Sequence, residues 1–257
     1  MGTGAITQYV DVAQLVLYLF WAFFAGLIYY LVRENHREGY PMDSGRADSS
    51  HITGWPTPAP KVFRTEHGDV TVPDPSKDAR PLALMPISGA PGTAFEPTGN
   101  AMLDGVGPGA WTPRADVPDE GLDGAPKIRP LRVLAEYGVA PQDTDPRGLE
   151  VIGADGEVGG TVRDAWLDTS EMLFRYLEVA VSTPAGVRHV LLPMNFARVK
   201  GGRDPHVKVR SILAAQFADV PATRAPDQVT LLEEEKIVAY YGGGTLYATP
   251  ERAEPLA

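Results

Sequence analysis

An acidic stretch, DTSE at residues 168–171, is the strongest candidate for chemistry in this sequence, and Arg175 and Glu178 follow it closely. Carboxylates that lie close together couple electrostatically, so that one of them can hold a proton near neutral pH. The alternative is a polar turn, because Asp, Thr and Ser bond their own backbone, and Asp168 with Glu171 has capping-box spacing. From spacing alone, the polar turn is the stronger interpretation.

The other reactive residue types form no catalytic pattern. The histidines, at positions 36, 51, 67, 189 and 206, give no i, i+3 or i, i+4 pair and no HExxH motif. The chain has no cysteine, which excludes thiol catalysis, zinc–thiolate sites and iron–sulfur clusters. The segment GVGPGA at 105–110 lacks the features of a phosphate loop, and no serine lies in a GxSxG elbow. We therefore predict no metal, nucleotide or hydrolase site, and interpret the acidic run Glu233–Glu235 as a solvated helix face.

The charge balance argues against nucleic acid as a partner. The chain has 257 residues, of which 33 are acidic and 23 basic, so its formal net charge is −10. A nucleic-acid-binding surface needs clustered positive charge, which this balance does not favour. Hydrophobic residues at 44% and charged residues at 22% are typical of a folded chain.

An apolar run without any charged side chain, residues 12–32, predicts a transmembrane helix. As a helix it would span about 30 Å, which is the thickness of the hydrocarbon core of a bilayer. A cleaved signal peptide is the alternative. No Lys or Arg precedes the run, however, the run is longer than the core of a signal peptide, and no small-residue cleavage site follows it.

The charged flanks predict the orientation of this helix. Asp11 precedes it, whereas Arg33 and Arg37 follow it. The positive-inside rule therefore places residues 1–11 in the periplasm and the rest of the chain in the cytoplasm. Arg33 and Arg37 share one helical face, where they can meet anionic lipid headgroups, and Tyr40 is assigned to the same lipid interface.

Two regions that differ in amino-acid composition and pattern follow the helix. Residues 33–126 are rich in Pro and Gly but keep large apolar side chains, which predicts an extended, loop-rich segment that orders against another protein's surface. Residues 127–257 show apolar alternation between turn signals, among them Asp155-Gly156, which predicts a small antiparallel barrel or sandwich. A helix is predicted over 230–241, with a stop at Gly242 to Gly244.

Seven segments, taken together, resemble the H-subunit family of the photosynthetic reaction centre of purple bacteria. They are the apolar helix running into REGYP at 37–41, PTGNAMLDGVGPGAW at 97–111, KIRPLRV at 127–133, DTDPRGLEV at 143–151, SEMLFRYLEV at 170–179, SILAAQFADVP at 211–221 and LLEEEKIVAYYGGGTLYATPERAE at 231–254. No single segment is specific, but their order and number are. The resemblance spans essentially the whole chain. It implies one membrane helix, an extended surface segment and an α+β, mainly antiparallel cytoplasmic domain of the PRC-barrel type.

The resemblance also implies a role in photosynthetic electron transport. The H subunit of this family is not an enzyme and binds no pigment; it caps the cytoplasmic side of the L and M subunits. Those subunits carry bacteriochlorophyll, bacteriopheophytin, quinones and a non-haem iron. The implied location is the bacterial inner (intracytoplasmic photosynthetic) membrane, among phospholipids, and a light-harvesting ring and a cytochrome subunit are left open as further neighbours. The alternative is a membrane-tethered PRC-barrel adaptor of another complex.

Four residues match family positions implicated in proton transfer to the secondary quinone. Glu171 matches a carboxylate of that path, Asp168 matches a nearby acid, and Arg175 matches an arginine that can tune their charge. Asp123 matches an acid close to the point of proton uptake. A lid that keeps the quinone site dry needs such a path of titratable groups and water, and an acidic domain attracts protons.

The sequence departs from some family members just after Asp123. Those members carry two histidines after the Asp-Gly pair, whereas this chain has Ala125-Pro126-Lys127. The resemblance therefore does not imply proton uptake by a histidine pair in this chain. Asp123 itself, Asp119, Glu120 or water remain as the candidates for this step.

Overall fold

The computed structural model describes residues 4, 6, 11–37, 42–43, 51–52, 58–66, 68–72, 81–89 and 93–253. They fall into two compact units. The first comprises Met1–Arg80 with Pro86–Ala94, and the second comprises Pro81–Met85 with Phe95–Ala257.

The first unit begins with one long apolar helix, α1, Val12–Asn35. The carboxylate of Asp11 accepts a hydrogen bond from the Gln14 backbone N–H at 2.7 Å and so caps the helix. None of its residues is buried, and its length and composition suffice to cross a membrane. The helix ends three residues beyond the predicted end at residue 32, because the first charged residue ends the apolar run but still favours helix.

Short two-stranded ladders follow α1 along the chain. β1, Met42–Asp43, pairs with β2, His51–Ile52, and β3, Lys61–Thr65, pairs with β4, Gly68–Val72. Both ladders are antiparallel. They lie in the Pro/Gly-rich region that was predicted to be extended and rich in loops.

The second unit is built around a seven-stranded sheet. Its strands are β7 Ile128–Pro130, β8 Glu150–Ile152, β9 Val158–Asp168, β10 Leu173–Thr183, β11 Gly186–Pro193, β12 Ala197–Lys200 and β13 His206–Val209. The strand order is β11-β10-β9-β8-β13-β12, and β7 also pairs with β9. All pairs are antiparallel except β8 with β13. The predicted mainly antiparallel domain is therefore confirmed. A further short ladder joins β5, Leu84–Pro86, to β6, Phe95–Pro97.

The predicted turn signals connect consecutive strands. Gly156, between β8 and β9, has φ of +88°, and Gly186, between β10 and β11, has φ of +120°. Glycine adopts this left-handed region without the steric cost that a Cβ would impose. These turns make β8–β9 and β10–β11 hairpins, and the β9–β10 connection at residues 169–172 carries the acidic stretch.

The core of the second unit forms between the sheet and helix α2, Leu231–Tyr247. Its largest fully buried side chains are Trp166, Tyr240, Tyr241, Phe217, Leu177, Leu192, Ile212 and Ile237. Phe217 enters from the short 3-10 helix Ala214–Asp219, close to the helical turns predicted over 211–217.

Helix α2 begins where the sequence predicts but does not stop at the glycines. Thr230 caps it in a capping box, in which the Thr230 hydroxyl accepts from the Glu233 N–H and the Glu233 carboxylate accepts from the Thr230 N–H. The predicted stop at Gly242 to Gly244 is wrong, because the helix continues through these residues to Tyr247. These glycines instead allow residues distant in sequence to pack closely against the helix. A Cβ on Gly244 would lie 2.6 Å from the Ser211 carbonyl oxygen.

Replacing Gly244 by Ala is expected to destabilise the second unit by about 2 kcal/mol, because the clash outweighs the gain in helix propensity. Urea unfolding of the full-length chain in detergent, followed by circular dichroism, measures the loss. Gly138→Ala is the matched control, because a Cβ at Gly138 meets no atom within 4 Å. Equal stabilities of the two variants would contradict the packing role of Gly244.

The second unit begins earlier than the boundary predicted at residue 127. Ala101, Met102 and Val106 are buried, so the chain after residue 95 contributes to this unit. The Cα of Gly109 lies 3.2 Å from the position that a Cβ of Gly243 would occupy. Small residues on both sides thus let this segment pack closely against α2. The contact joins residues that are distant in sequence, and the Pro and Gly content of the segment does not indicate it.

Candidate functional site

The acidic stretch forms the tight connection between β9 and β10. Asp168 ends β9, and one of its carboxylate oxygens accepts hydrogen bonds from the N–H groups of Ser170 and Glu171 at 2.9 and 3.0 Å. The polar-turn interpretation is therefore correct for Asp168. Its side chain is 5% exposed, so the turn also places a carboxylate inside the protein.

Arg175 joins the two carboxylates of the turn. Its Nε donates to the second oxygen of Asp168 at 3.3 Å, and its Nη2 lies 3.6 Å from Glu171 Oε2. The Glu171 side chain is 56% exposed. A buried acid and an exposed acid thus share one fixed positive charge.

Lys127 and Asp119 belong to the same electrostatic cluster. The N–H and hydroxyl of Thr169 donate to the Lys127 carbonyl oxygen at 2.9 and 3.1 Å, and Lys127 Nζ donates to Asp119 Oδ2 at 2.8 Å. The hydrogen bond to Asp119, followed by the charges of Asp119, Asp168 and Glu171, raises the pKa of Lys127. Lys127 was not predicted from the sequence, because only the pairing of β7 with β9 brings it beside the acidic stretch.

Asp123 lies on the loop whose ends are Asp119 and Lys127. The Lys127 N–H donates to the Asp119 carbonyl oxygen, which closes the loop, and Asp123 Oδ1 accepts from the Ala125 N–H at 3.1 Å. The Asp123 side chain is exposed and shares no hydrogen bond or ion pair with Asp168, Glu171 or Arg175. The structure therefore unites three of the four predicted residues, and connects the fourth to them through a loop.

A cleft of about 500 Å³ adjoins this cluster in the second unit, with Arg175 in its wall. Within it the Tyr176 hydroxyl donates to Glu234 at 2.7 Å. Burial raises the pKa of the Glu234 carboxyl. The interpretation of Glu233–Glu235 as a solvated face is wrong, because the buried Glu233 carboxylate completes the capping box of α2 and both Glu234 and Glu235 line the cleft.

Glu178 follows the acidic stretch in sequence but takes part in a different network. Its buried carboxylate accepts hydrogen bonds from Arg132, from Arg163 at 2.8 Å and from Trp166 Nε1 at 3.0 Å. Burial alone would raise its pKa, but the hydrogen bonds from Trp166 and Arg132 and the charges of Arg132 and Arg163 outweigh burial and lower it. Asp164 accepts from the same Arg132 side chain at 3.2 Å.

The residues assigned to the lipid interface differ in their surroundings. Arg33 is exposed at the end of α1. Arg37 is 10% exposed, because its guanidinium donates to Glu34 and to the carbonyl oxygens of Ala59 and Val72. Tyr40 lies outside the described residues.

Two family models match this chain. Residues 4–133, half of the chain, match the photosynthetic reaction centre H-chain N-terminal region. Residues 142–207 match the PRC-barrel domain. The second match covers the strands from β8 into β13, with Asp168, Glu171 and Arg175 among them, while Asp123 and Lys127 fall in the first.

Proposed function

The chain belongs to the photosynthetic reaction-centre H-chain family, and on that premise we propose that it caps the quinone sites of the L and M subunits and conducts protons to the secondary quinone. The family is a pigment-free, non-catalytic subunit of an electron-transfer complex, associated with L and M. The observation that carries the proposal is the cluster in which Arg175 contacts both the buried Asp168 and the exposed Glu171.

The proposed path uses the contrast between these two acids. A carboxylate that is more than half exposed exchanges protons with water readily, whereas a buried one is shielded from it. We assign to Glu171 the transfer of protons toward L and M, and to Asp168 and Arg175 the balance of charge around it. A dry quinone site needs a relay of this kind, because sealing out water also removes the ordinary proton source.

We assign proton uptake to the loop between Asp119 and Lys127. Asp123 is exposed on this loop, and the loop closes on the lysine whose carbonyl oxygen accepts from Thr169. The net charge of −10 adds a negative potential that concentrates protons near the surface.

Replacing Asp123 by Asn is expected to slow flash-induced proton uptake by about threefold, because an exposed negative charge at the uptake point is lost. A pH-indicator dye in a suspension of isolated complexes follows the uptake after the second flash. Asp143→Asn removes an equally exposed charge from another loop and serves as the control. An unchanged uptake rate in Asp123→Asn would overturn the assignment of this loop.

We propose that α1 crosses the bacterial inner photosynthetic membrane, with the short N-terminus in the periplasm and the second unit in the cytoplasm. The absence of a base before α1 and the presence of Arg33 after it support this orientation. Arg33 is the arginine that we assign to lipid headgroups, with Tyr40 as a neighbouring interface residue.

A further inference from the structure

We propose that the hairpin β3–β4 lies in the headgroup region of the bilayer, with Phe63 directed toward lipid, and that Arg37 holds it there. The inference rests on the proposed membrane crossing of α1. It assigns a lipid-contacting element within the Pro/Gly-rich segment, beyond the interface residues that directly follow α1.

Arg37 connects both strands of this hairpin to the end of α1 through hydrogen bonds. Its Nη1 donates to the Ala59 carbonyl oxygen at 2.6 Å, just before β3, and to the Val72 carbonyl oxygen at 3.3 Å, at the end of β4. Its Nε and Nη2 are held by the Glu34 carboxylate at 2.9 and 3.0 Å. One guanidinium thus connects the last turn of the helix to the open end of the hairpin.

Lys61 makes a second connection, nearer to the membrane. Its Nζ donates to Glu34 Oε2 at 2.7 Å and lies 6.0 Å from the centre of the Tyr30 ring. Tyr30 is part of the uncharged run of α1, so the start of β3 lies at the level where this run ends. In a membrane-spanning helix this level is the boundary between hydrocarbon and headgroups.

The strand register shows which side chains share the face of Lys61. Alternate residues of a strand point to the same side, so Phe63 projects on the side on which Lys61 reaches the helix. Val70 pairs with Phe63, and Val72 pairs with Lys61, which completes one largely apolar face. The opposite face carries Val62.

The composition of the two faces favours lipid for the first and water for the second. Phe63 is 47% exposed in this structure, although it lies two residues from the anchored Lys61. An aromatic ring beside the end of a membrane helix is stabilised by the headgroup and upper acyl region. The other face includes Arg64 and its partner Asp69, which prefer water.

Photo-crosslinking on the assembled complex in its native membrane tests the placement. Because the chain has no cysteine, a single introduced cysteine carries a benzophenone maleimide whose products are identified on the band of this chain alone. The variants are Phe63→Cys, Val62→Cys on the opposite face, and Phe23→Cys in the middle of α1. Mass spectrometry separates lipid adducts from crosslinks to protein.

Lipid adducts are expected to be several times more abundant at position 63 than at position 62. Equal yields at the two positions, or crosslinks from position 63 to L or M only, would overturn the inference. The variant at position 23 tests the premise separately. If a water-soluble maleimide reacts at position 23, the membrane crossing itself fails, whereas protection at 23 without lipid adducts at 63 rejects only the hairpin.

A second variant tests the role of Arg37. Adding Arg37→Met to Phe63→Cys is expected to lower the lipid adduct toward the level seen at position 62, because β4 then loses its hydrogen bond to α1 and β3 keeps only the Lys61–Glu34 contact. Arg64→Gln removes an equal charge from the opposite face of the hairpin and leaves the hydrogen bonds of Arg37 intact, so the adduct is expected to persist. Equal loss in both variants would show that charge, and not the connection, positions the hairpin.

Discussion

Replacing Glu171 by Gln is expected to slow the proton-coupled step at the secondary quinone by about tenfold, which corresponds to a barrier raised by roughly 1.4 kcal/mol. The amide keeps the shape of the side chain but cannot gain and lose a proton. The Glu171 side chain is exposed and its only ion pair among the described residues is the one with Arg175 at 3.6 Å, so the turn itself is expected to survive. Flash spectroscopy on isolated complexes, with exogenous donor to the oxidised pigment, measures the rate.

Chemical rescue separates a proton-transfer role from a structural one. Small weak acids that diffuse into the site are expected to restore much of the rate in Glu171→Gln, because they replace the missing proton carrier. Glu136→Gln removes an exposed carboxylate elsewhere and is the matched control, expected to leave the rate unchanged. A normal rate in Glu171→Gln, or a slow rate that no weak acid restores, would remove Glu171 from the path.

Asp168 gives a less direct test of the same path. Its carboxylate accepts from two backbone N–H groups and from Arg175, so an amide at this position would set an NH2 group against one of its donors. A slow proton-coupled step in Asp168→Asn would therefore reflect the altered geometry of the turn as well as any loss of proton transfer. Glu171, the exposed acid, is the residue at which the carboxyl group can be replaced without disturbing the turn.

Local features of the sequence predicted much of the fold. The uncharged run fixed the position of α1, and the turn at Asp155-Gly156 follows from the preference of glycine for positive φ. The same glycine rule failed at Gly242 to Gly244, since there the absence of a Cβ permits close packing against residues distant in sequence. Glycine has two uses, and only the tertiary contacts distinguish them.

The candidate site was predictable only in part, for a related reason. Asp168, Glu171 and Arg175 flank one tight connection, so nearness in sequence predicts nearness in space. Lys127 joins them through pairing of β7 with β9, which spacing along the chain cannot indicate. Glu178 is close in sequence yet bonds to Arg132 and Arg163 instead.

Replacing Arg132 by Met is expected to destabilise the second unit by about 3 kcal/mol, because it leaves two buried carboxylates without their shared partner. Asp164 and Glu178 are 5% and 4% exposed, and both accept from the Arg132 guanidinium. Hydrogen exchange of the β9 and β10 amides, measured by mass spectrometry on the assembled complex, reports the loss as faster exchange. Arg147→Met, which breaks an exposed pair with Asp145, is the control and is expected to cost less than about 1 kcal/mol.

The pH dependence identifies the carboxylate responsible for this loss. In the native protein the pKa of Glu178 lies below its ordinary value of 4.5, so its contribution to stability is present above that pH and is lost as the pH falls through the lowered pKa. Without Arg132, fewer hydrogen bonds and positive charges oppose the effect of burial, so the pKa of Glu178 rises. The stability difference between the native protein and Arg132→Met is therefore expected to be largest at neutral pH and to narrow on acidification. A difference independent of pH would mean that Arg132 stabilises the sheet by packing on Trp166, whose ring lies 5.9 Å away, and not through charge.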